Sequence, residues 1–321
     1  MKKFNEIFID KTKYGEKIQT SEYEKQGKHI IVDQGQAEIA GYTNREEGLF
    51  NEVPVIIFGD HTRLIQYIDE PFFLGADGVK VLRSKEKNAN YKYLYYALKS
   101  AKIPNTGYNR HFKWLKDVEI NYPDSVKQEK IVDILDRVSD VIEKRKAELS
   151  YLDTLIKARF VEMFGDPIRN TQNRPTTEFI NVVKMQRGFD LPVQDRQQDG
   201  EIPVYGSNGA LDYHNVAKIH GGVITGRSGT IGKVFYTEGD FWPLNTSLFS
   251  ADTHGNNVIY LGYLLQLFDL TRFVEGTGVP TLNRNMFHNK QIIDVPIDEQ
   301  RVFAAFVNEI DKSKLQKFSA A

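Results

Sequence analysis

DSVKQEKIVDILDRVSDVIEKRKAELSYLDTLIKARFVEMFGDP, residues 124–167, carries no glycine or proline until Gly165. Alternating steps of four and three from Ile131 meet Leu135, Val138, Ile142, Arg145, Leu149, Leu152, Ile156, Arg159 and Met163, nearly all of them apolar. That 3.5-residue repeat is a coiled-coil seam, narrower than the apolar face of an ordinary surface helix. The spacing predicts one helix of about 40 residues, at most ~60 Å long at about 1.5 Å per residue. Asp124 or Ser125 is the expected N-cap, with Gln128 completing a capping box. Gly165 and Pro167 are the expected stop. A stripe of this length needs a partner helix. The chain offers one after Asp298, with Val302, Phe303, Phe306 and Ile310, about half as long. Part of the seam is therefore expected to lack an intrachain partner, around Leu149, Leu152 and Ile156 or around Ile131, Leu135 and Val138 depending on helix direction. That leftover would support self-association or docking of another subunit.

The sequences on either side of this helix repeat each other. VIIFGDHT (55–62) answers to GVITGRSG (222–229), and NANYKYLYYAL from Asn88 answers to NNVIYLGYLLQ from Asn256. An offset of 167 residues links Gly59 to Gly226 and Tyr96 to Tyr263; GYNRHFKWLKDVEI (107–120) answers to TLNRNMFHNKQIID (281–294) with Arg110 and Arg284 offset by 174. A period this long is a duplicated domain and not a solenoid array. Four parts follow: a first module 1–123, a spacer helix 124–165, a second module 166–296 and a short distal helix 297–321. The expected fold class is mixed α/β, two similar modules joined by long coiled-coil-type helices. Two divergent modules on a spacer suit a molecule that reads two different things at a set distance.

At 321 residues, with 40% apolar and 26% charged residues, the chain has the composition of a soluble two-domain protein. No apolar run is long enough to span a membrane, and the start lacks the apolar core of a signal peptide. The absence of cysteine excludes disulfides, thiolate zinc sites and a cysteine nucleophile, and fits a cytoplasmic location. A net charge of −1 gives no overall basic surplus for phosphate neutralisation. No Pro-Pro occurs, so the Asn/Asp-Pro-Pro-aromatic motif of an amino-methyltransferase is missing, as is any Asp-x-Lys or Glu-x-Lys of a metal-dependent nuclease. GRSGTIGKV (226–234) has Arg227 and Val234 where a phosphate-binding P-loop needs Gly and Ser/Thr, so it reads as a Gly-rich turn. No histidine has metal-ligand spacing. No catalytic residue and no metal site are expected. A coiled-coil adaptor whose modules bind protein remains an alternative on the residues alone.

Residues 124–167 and GTGVPTLNRNMFHNKQIIDVPIDEQRVFAAFVNEIDKSK (276–314) resemble the central and distal conserved regions of type I restriction-modification specificity (S) subunits. The order of parts matches that family along nearly the whole chain, except that the distal helix is shorter than usual. The resemblance implies two target-recognition domains reading the halves of a split site in double-stranded DNA. It implies docking of adenine methyltransferase (M) subunits on the helices, and a restriction/translocase (R) subunit in the assembled complex. It further implies that S-adenosylmethionine, ATP and magnesium are bound by those partners, with no cofactor in this chain.

Base edges are read by Arg, Lys, Asn, Gln, Ser or Thr on projecting loops, and phosphates are held by Lys, Arg or backbone N–H groups. Three kinds of loop qualify. His61, Thr62 and Arg63, after Asp60, answer to Arg227, Ser228 and Thr230. Tyr108, Asn109, Arg110, His111 and Lys113 answer to Thr281, Asn283, Arg284 and Asn285. Tyr205, Ser207 and Asn208 have Gln34 and Gln36 opposite. Modules that read different sequences should differ where they read, so the unmatched pairs His61/Ser228 and Arg63/Thr230 are favoured for base contact. Arg110/Arg284 serve either phosphate contact or scaffold. Lys144, Arg145 and Lys146 read as a solvated helix face.

Overall fold

The computed structural model describes residues 1–75, 78–197, 199–276 and 280–319, with side chains as far as 315. It divides into two compact units, 1–144 and 145–321. The division falls inside the long helix, which runs unbroken over Ser125–Phe164. The expected class, mixed helix and sheet in two similar domains with one long helix, is what the chain adopts.

The first unit is built on an antiparallel four-stranded sheet in the order Phe8–Asp10, Val79–Ser84, Val55–Gly59, Ile65–Ile68. Every residue of Val55–Gly59 is buried because both faces of this central strand are covered. On one face lie Phe4, Ile7, Leu94, Leu98 and Leu115; on the other lie Val32, Phe72 and Leu74. The latter come from a three-stranded sheet ordered Gly41–Thr43, His29–Val32, Phe72–Leu74. The helix Tyr91–Lys99 starts at an Asn90 N-cap, whose side chain accepts the Tyr93 N–H at 2.9 Å. Ile131 and Val132 of the long helix lie half-buried against this core.

The second unit repeats the plan around a six-stranded sheet ordered Lys184–Arg187, Ser247–Asp252, Ile219–Gly226, Val234–Pro243, Ile202–Gly206, Gly209–His214. Its helix Val258–Phe268 starts at Asn257, which accepts the Tyr260 N–H at 3.1 Å, the same cap at the same offset of 167. Ile156, Phe160 and Phe164 of the long helix are fully buried in this core. Phe160 stacks on Tyr260 with ring centroids 5.6 Å apart and meets Phe303 edge-on at 5.4 Å.

Several expectations about the helices need correcting. Asp124 is the N-cap, accepting the Lys127 N–H at 2.9 Å. The capping box does not form: Gln128 is buried and its amide donates instead to the Pro123 carbonyl at 2.8 Å. Gln300 does the same at the head of the last helix Ile297–Ser319, donating to the Val295 carbonyl at 2.7 Å. The last helix packs antiparallel on the C-terminal part of the long one, with Phe303 against Phe160 and Phe164 and Lys314 paired to Asp153 at 2.8 Å. That direction leaves Leu149, Leu152 and Met163 half-buried and Ile156 buried. It leaves Val138 (49%) and Ile142 (48%) exposed, with Ile134 and Val141 beside them. The seam is thus interrupted, and Leu135 is only half-buried. Phe303, Phe306 and Ile310 face the long helix as expected, but Val302 is exposed, about 100° around the helix from Phe303.

The two cores also repeat in ways the sequence comparison missed. Phe4 and Ile7 on the short helix Phe4–Ile7 answer to Phe179 and Val182 on Phe179–Val182, offset by 175. At the other end Leu115/Phe287, Ile120/Ile292 and Gln128/Gln300 share an offset of 172. The Asn109-Arg110 and Asn283-Arg284 match, offset by 174, is therefore two residues out of structural register. His111 and Asn283 are the equivalent residues, each N-cap of the short helical turn that follows.

Candidate DNA-reading edge

In the first unit the strand Val55–Gly59 delivers Asp60 to a junction of loops. The Asp60 N–H donates to the Gly78 carbonyl at 2.7 Å, and the Asp60 carbonyl accepts the His111 N–H at 2.8 Å and faces His111 Nδ1 at 3.0 Å. The buried Asp60 carboxylate accepts the Phe112 N–H at 2.7 Å. His61 sits beside the third kind of loop, its N–H donating to Gln34 Oε1 at 3.1 Å. Gly59 must be glycine, because a Cβ there would run into Thr62 Oγ1 and into Gln34 Cβ at 2.9 Å. His61, Thr62, Tyr108 and Gln34 are thereby gathered at one edge.

The second unit makes the same junction with different side chains. The Arg227 and Ser228 N–H groups both donate to the Thr246 carbonyl, at 2.9 and 3.2 Å, and the Arg227 carbonyl accepts the Leu282 N–H at 2.8 Å. Ser228 pairs with Thr281 as an isolated antiparallel bridge. A Cβ on Gly226 would strike the Thr230 carbonyl oxygen and lie 2.9 Å from that of Ser207. Arg227, Ser228, Thr230, Ser207 and Thr281 therefore share one edge, with Asn208 held by Lys233 Nζ at 2.7 Å.

Not every expected residue is free to read. His111 is wholly buried and belongs to the frame. Arg63 has a left-handed backbone (φ 62°) and spends Nη1 on the Ile103 carbonyl at 3.3 Å; Arg227 spends Nε on the Asn245 carbonyl at 3.0 Å. Tyr205 is half-buried, its ring edge-on to Phe241 at 5.8 Å. Thr62, Tyr108, Asn109, Arg110 and Lys113 are exposed in the first unit, as are Asn208, Asn283 and Asn285 in the second; Gln36 is exposed and Arg284 half-buried. Asn245, Thr246 and Lys233 join the second edge without having been singled out. Only the polar break Asn245-Thr246 between apolar runs hinted at the first two.

Elsewhere some lysines and arginines are matched, as in Lys2–Glu86, Lys28–Glu46, Arg174–Glu299 and Lys314–Asp153. Among the described residues Arg63, Arg110, Lys113, Arg227, Lys233 and Arg284 form no ion pair with a carboxylate. The nearby carboxylates are occupied, Asp60 by a backbone N–H and Asp190 by the Asn245 amide. A chain that is neutral overall thus carries, among the described residues, several cations without a carboxylate partner on the loops of each edge.

Behind the second edge, half-buried His288 accepts the Met185 N–H on Nε2 at 3.2 Å. Burial, then the Arg284 and Lys184 charges, hold its pKa below the ordinary 6.5. The unfolded chain therefore binds this proton more readily than the folded one. The stability His288 contributes is complete above pH 6.5 and is lost as pH falls through the lower folded value. The melting temperature of the wild type is expected to drop more between pH 7.5 and 5.5 than that of His288→Gln, and equal drops would remove His288 from the account.

The family model for the type I restriction modification DNA specificity domain matches the chain twice, over residues 1–151 and 170–318. Among solved structures, the S subunit of a type I restriction-modification system from M. genitalium aligns with a TM-score of 0.61 at 18% identity. That alignment covers 99% of this chain and 91% of that one, and it bears on the fold alone. The HsdS subunit from Thermoanaerobacter tengcongensis aligns with a TM-score of 0.39 at 15% identity, over 83% of this chain and 75% of that one. None of the curated proteins compared with the chain matches it.

Proposed function

We propose that this chain, which belongs to the type I restriction modification DNA specificity family, reads a two-part target in double-stranded DNA, one half per unit. The observation that carries the reading is the repeated edge. Each unit gathers polar loop residues and, among the described residues, cations without a carboxylate partner on its core, and the two edges differ in their side chains, as two readers of different half-sites require. A protein-binding adaptor would present apolar or acidic loops there instead.

The chain itself does no chemistry in this reading. Methyltransferase subunits dock on the exposed helical stripe of Ile134, Val138, Val141 and Ile142, and supply the S-adenosylmethionine pocket and further positive charge. A restriction subunit joins through them, bringing ATP and magnesium. Without the methyltransferase, the same stripe pairs two copies of the chain, since an apolar face of that size does not favour water. Methylome sequencing of a host expressing the chain with its cognate methyltransferase tests the proposal. The expected result is one target of two half-sites separated by a fixed gap, lost when Val138→Glu and Ile142→Glu are combined in a chain that still folds. Methylation of one continuous site would sink the two-reader reading.

A further inference from the structure

The first unit's edge holds a feature that its duplicate lacks. Tyr108 is 89% exposed, yet its ring lies flat on the His61 imidazole, centroids 4.9 Å apart and planes 12° apart. The loop beneath it is fastened: Asn105 Oδ1 accepts the Gly107 N–H at 3.1 Å and the Asn109 amide donates to the Thr106 carbonyl. The His61 backbone is fixed to Gln34, but its ring nitrogen Nδ1 is shut off from solvent and has no hydrogen-bond partner among the described residues. In the second unit the position equivalent to His61 is Ser228, which has no ring to stack.

Both halves of this pair are poorly served without a ligand. The tyrosine keeps most of its apolar surface in water, and the imidazole nitrogen is buried with no partner among the described residues, which is unfavourable for a polar atom. DNA offers each what it lacks: sugar and base surfaces for a ring, and base edges for a nitrogen. We propose that the pair opens on DNA. Tyr108 leaves the imidazole to pack against the duplex, and the uncovered His61 Nδ1–H donates to the N7 of a purine in the half-site read by the first unit. Purine N7 is the acceptor that both purines present in the major groove, so this contact separates purine from pyrimidine at one position. The inference rests on the DNA reading above and assigns different jobs to the two residues. His61 carries discrimination, and Tyr108 carries affinity shared by all sequences.

The test uses the full chain in complex with its methyltransferase, and a duplex carrying the methylated target. Each purine of the target is replaced in turn by its 7-deaza analogue and binding is measured by fluorescence anisotropy. One position, in one half-site only, is expected to lose about tenfold in affinity with the wild type, the size of a single good contact, and nothing with His61→Ala. Tyr108→Ala is expected to weaken binding to target and unrelated duplex by the same factor. A two-part target in which no deaza penalty disappears with His61→Ala overturns this inference and leaves the function standing, as does Tyr108→Ala binding at wild-type strength. A complex that methylates no two-part target overturns both.

Discussion

Replacing Phe160 by alanine is expected to destabilise the second unit by about 3–5 kcal/mol, enough to unfold it in conditions where the first unit stays folded. Phe160 is fully buried and its ring touches Phe164, Tyr260 and Phe303, so truncation opens a cavity where a spacer helix, a domain helix and the last helix meet. Three surrounding aromatic rings collapse poorly into such a space, which places the cost near the upper end. Urea titration followed by far-ultraviolet circular dichroism checks it. The variant should show an early transition for 145–321, while Val302→Ala, an exposed position on the same last helix, should lie within about 0.5 kcal/mol of wild type. A single transition shifted by less than 1 kcal/mol would show that the helix end is not part of this core.

Lengthening the spacer is expected to change the target and not the readers. Residues 141–147 of the long helix are exposed throughout, so seven residues inserted after Lys144 disturb neither core. They add about 10 Å of helix, the rise of roughly three base pairs at ~3.4 Å each. Methylome sequencing should return the same half-sites with a gap longer by about three base pairs. An altered half-site with an unchanged gap would show that the helix does not set the distance.

Legibility in the sequence followed the physics of each signal. The long helix was readable almost to the residue, because absence of glycine and proline, a capping aspartate and Gly165 with φ near +80° all act locally. The duplication was readable in the central strand and the Asn-capped helix, where buried positions tolerate little change. Its start, Phe4 to Phe179, was missed because only two apolar residues on a four-residue helix carry it. The register of the last segment was misread because Asn-Arg recurs by chance two positions from its structural partner. Buried Leu115 and Phe287, different in type but identical in role, give the true alignment. At the edge, side-chain types announced polarity, but whether Arg63 reaches outward or ties down its own Ile103 carbonyl is a tertiary matter with no sequence signal.

The offset between equivalent core residues is 175 at Phe8/Val183, 167 at Val55/Gly222, 169 at Ile65/Val234, 168 at Val79/Ser247, 167 again at Asn90/Asn257 and 172 at Leu115/Phe287. The two largest changes lie between Phe8/Val183 and Val55/Gly222, an interval that contains Gln34 and Ser207, and between Leu98/Leu265 and Leu115/Phe287, an interval that contains Tyr108 and Thr281. The largest changes in length between the two copies thus fall in the loops proposed to read DNA, and the core strands shift by only one or two residues. If those loops read the target as proposed, codon changes confined to the two windows are expected to alter the target while leaving both cores folded.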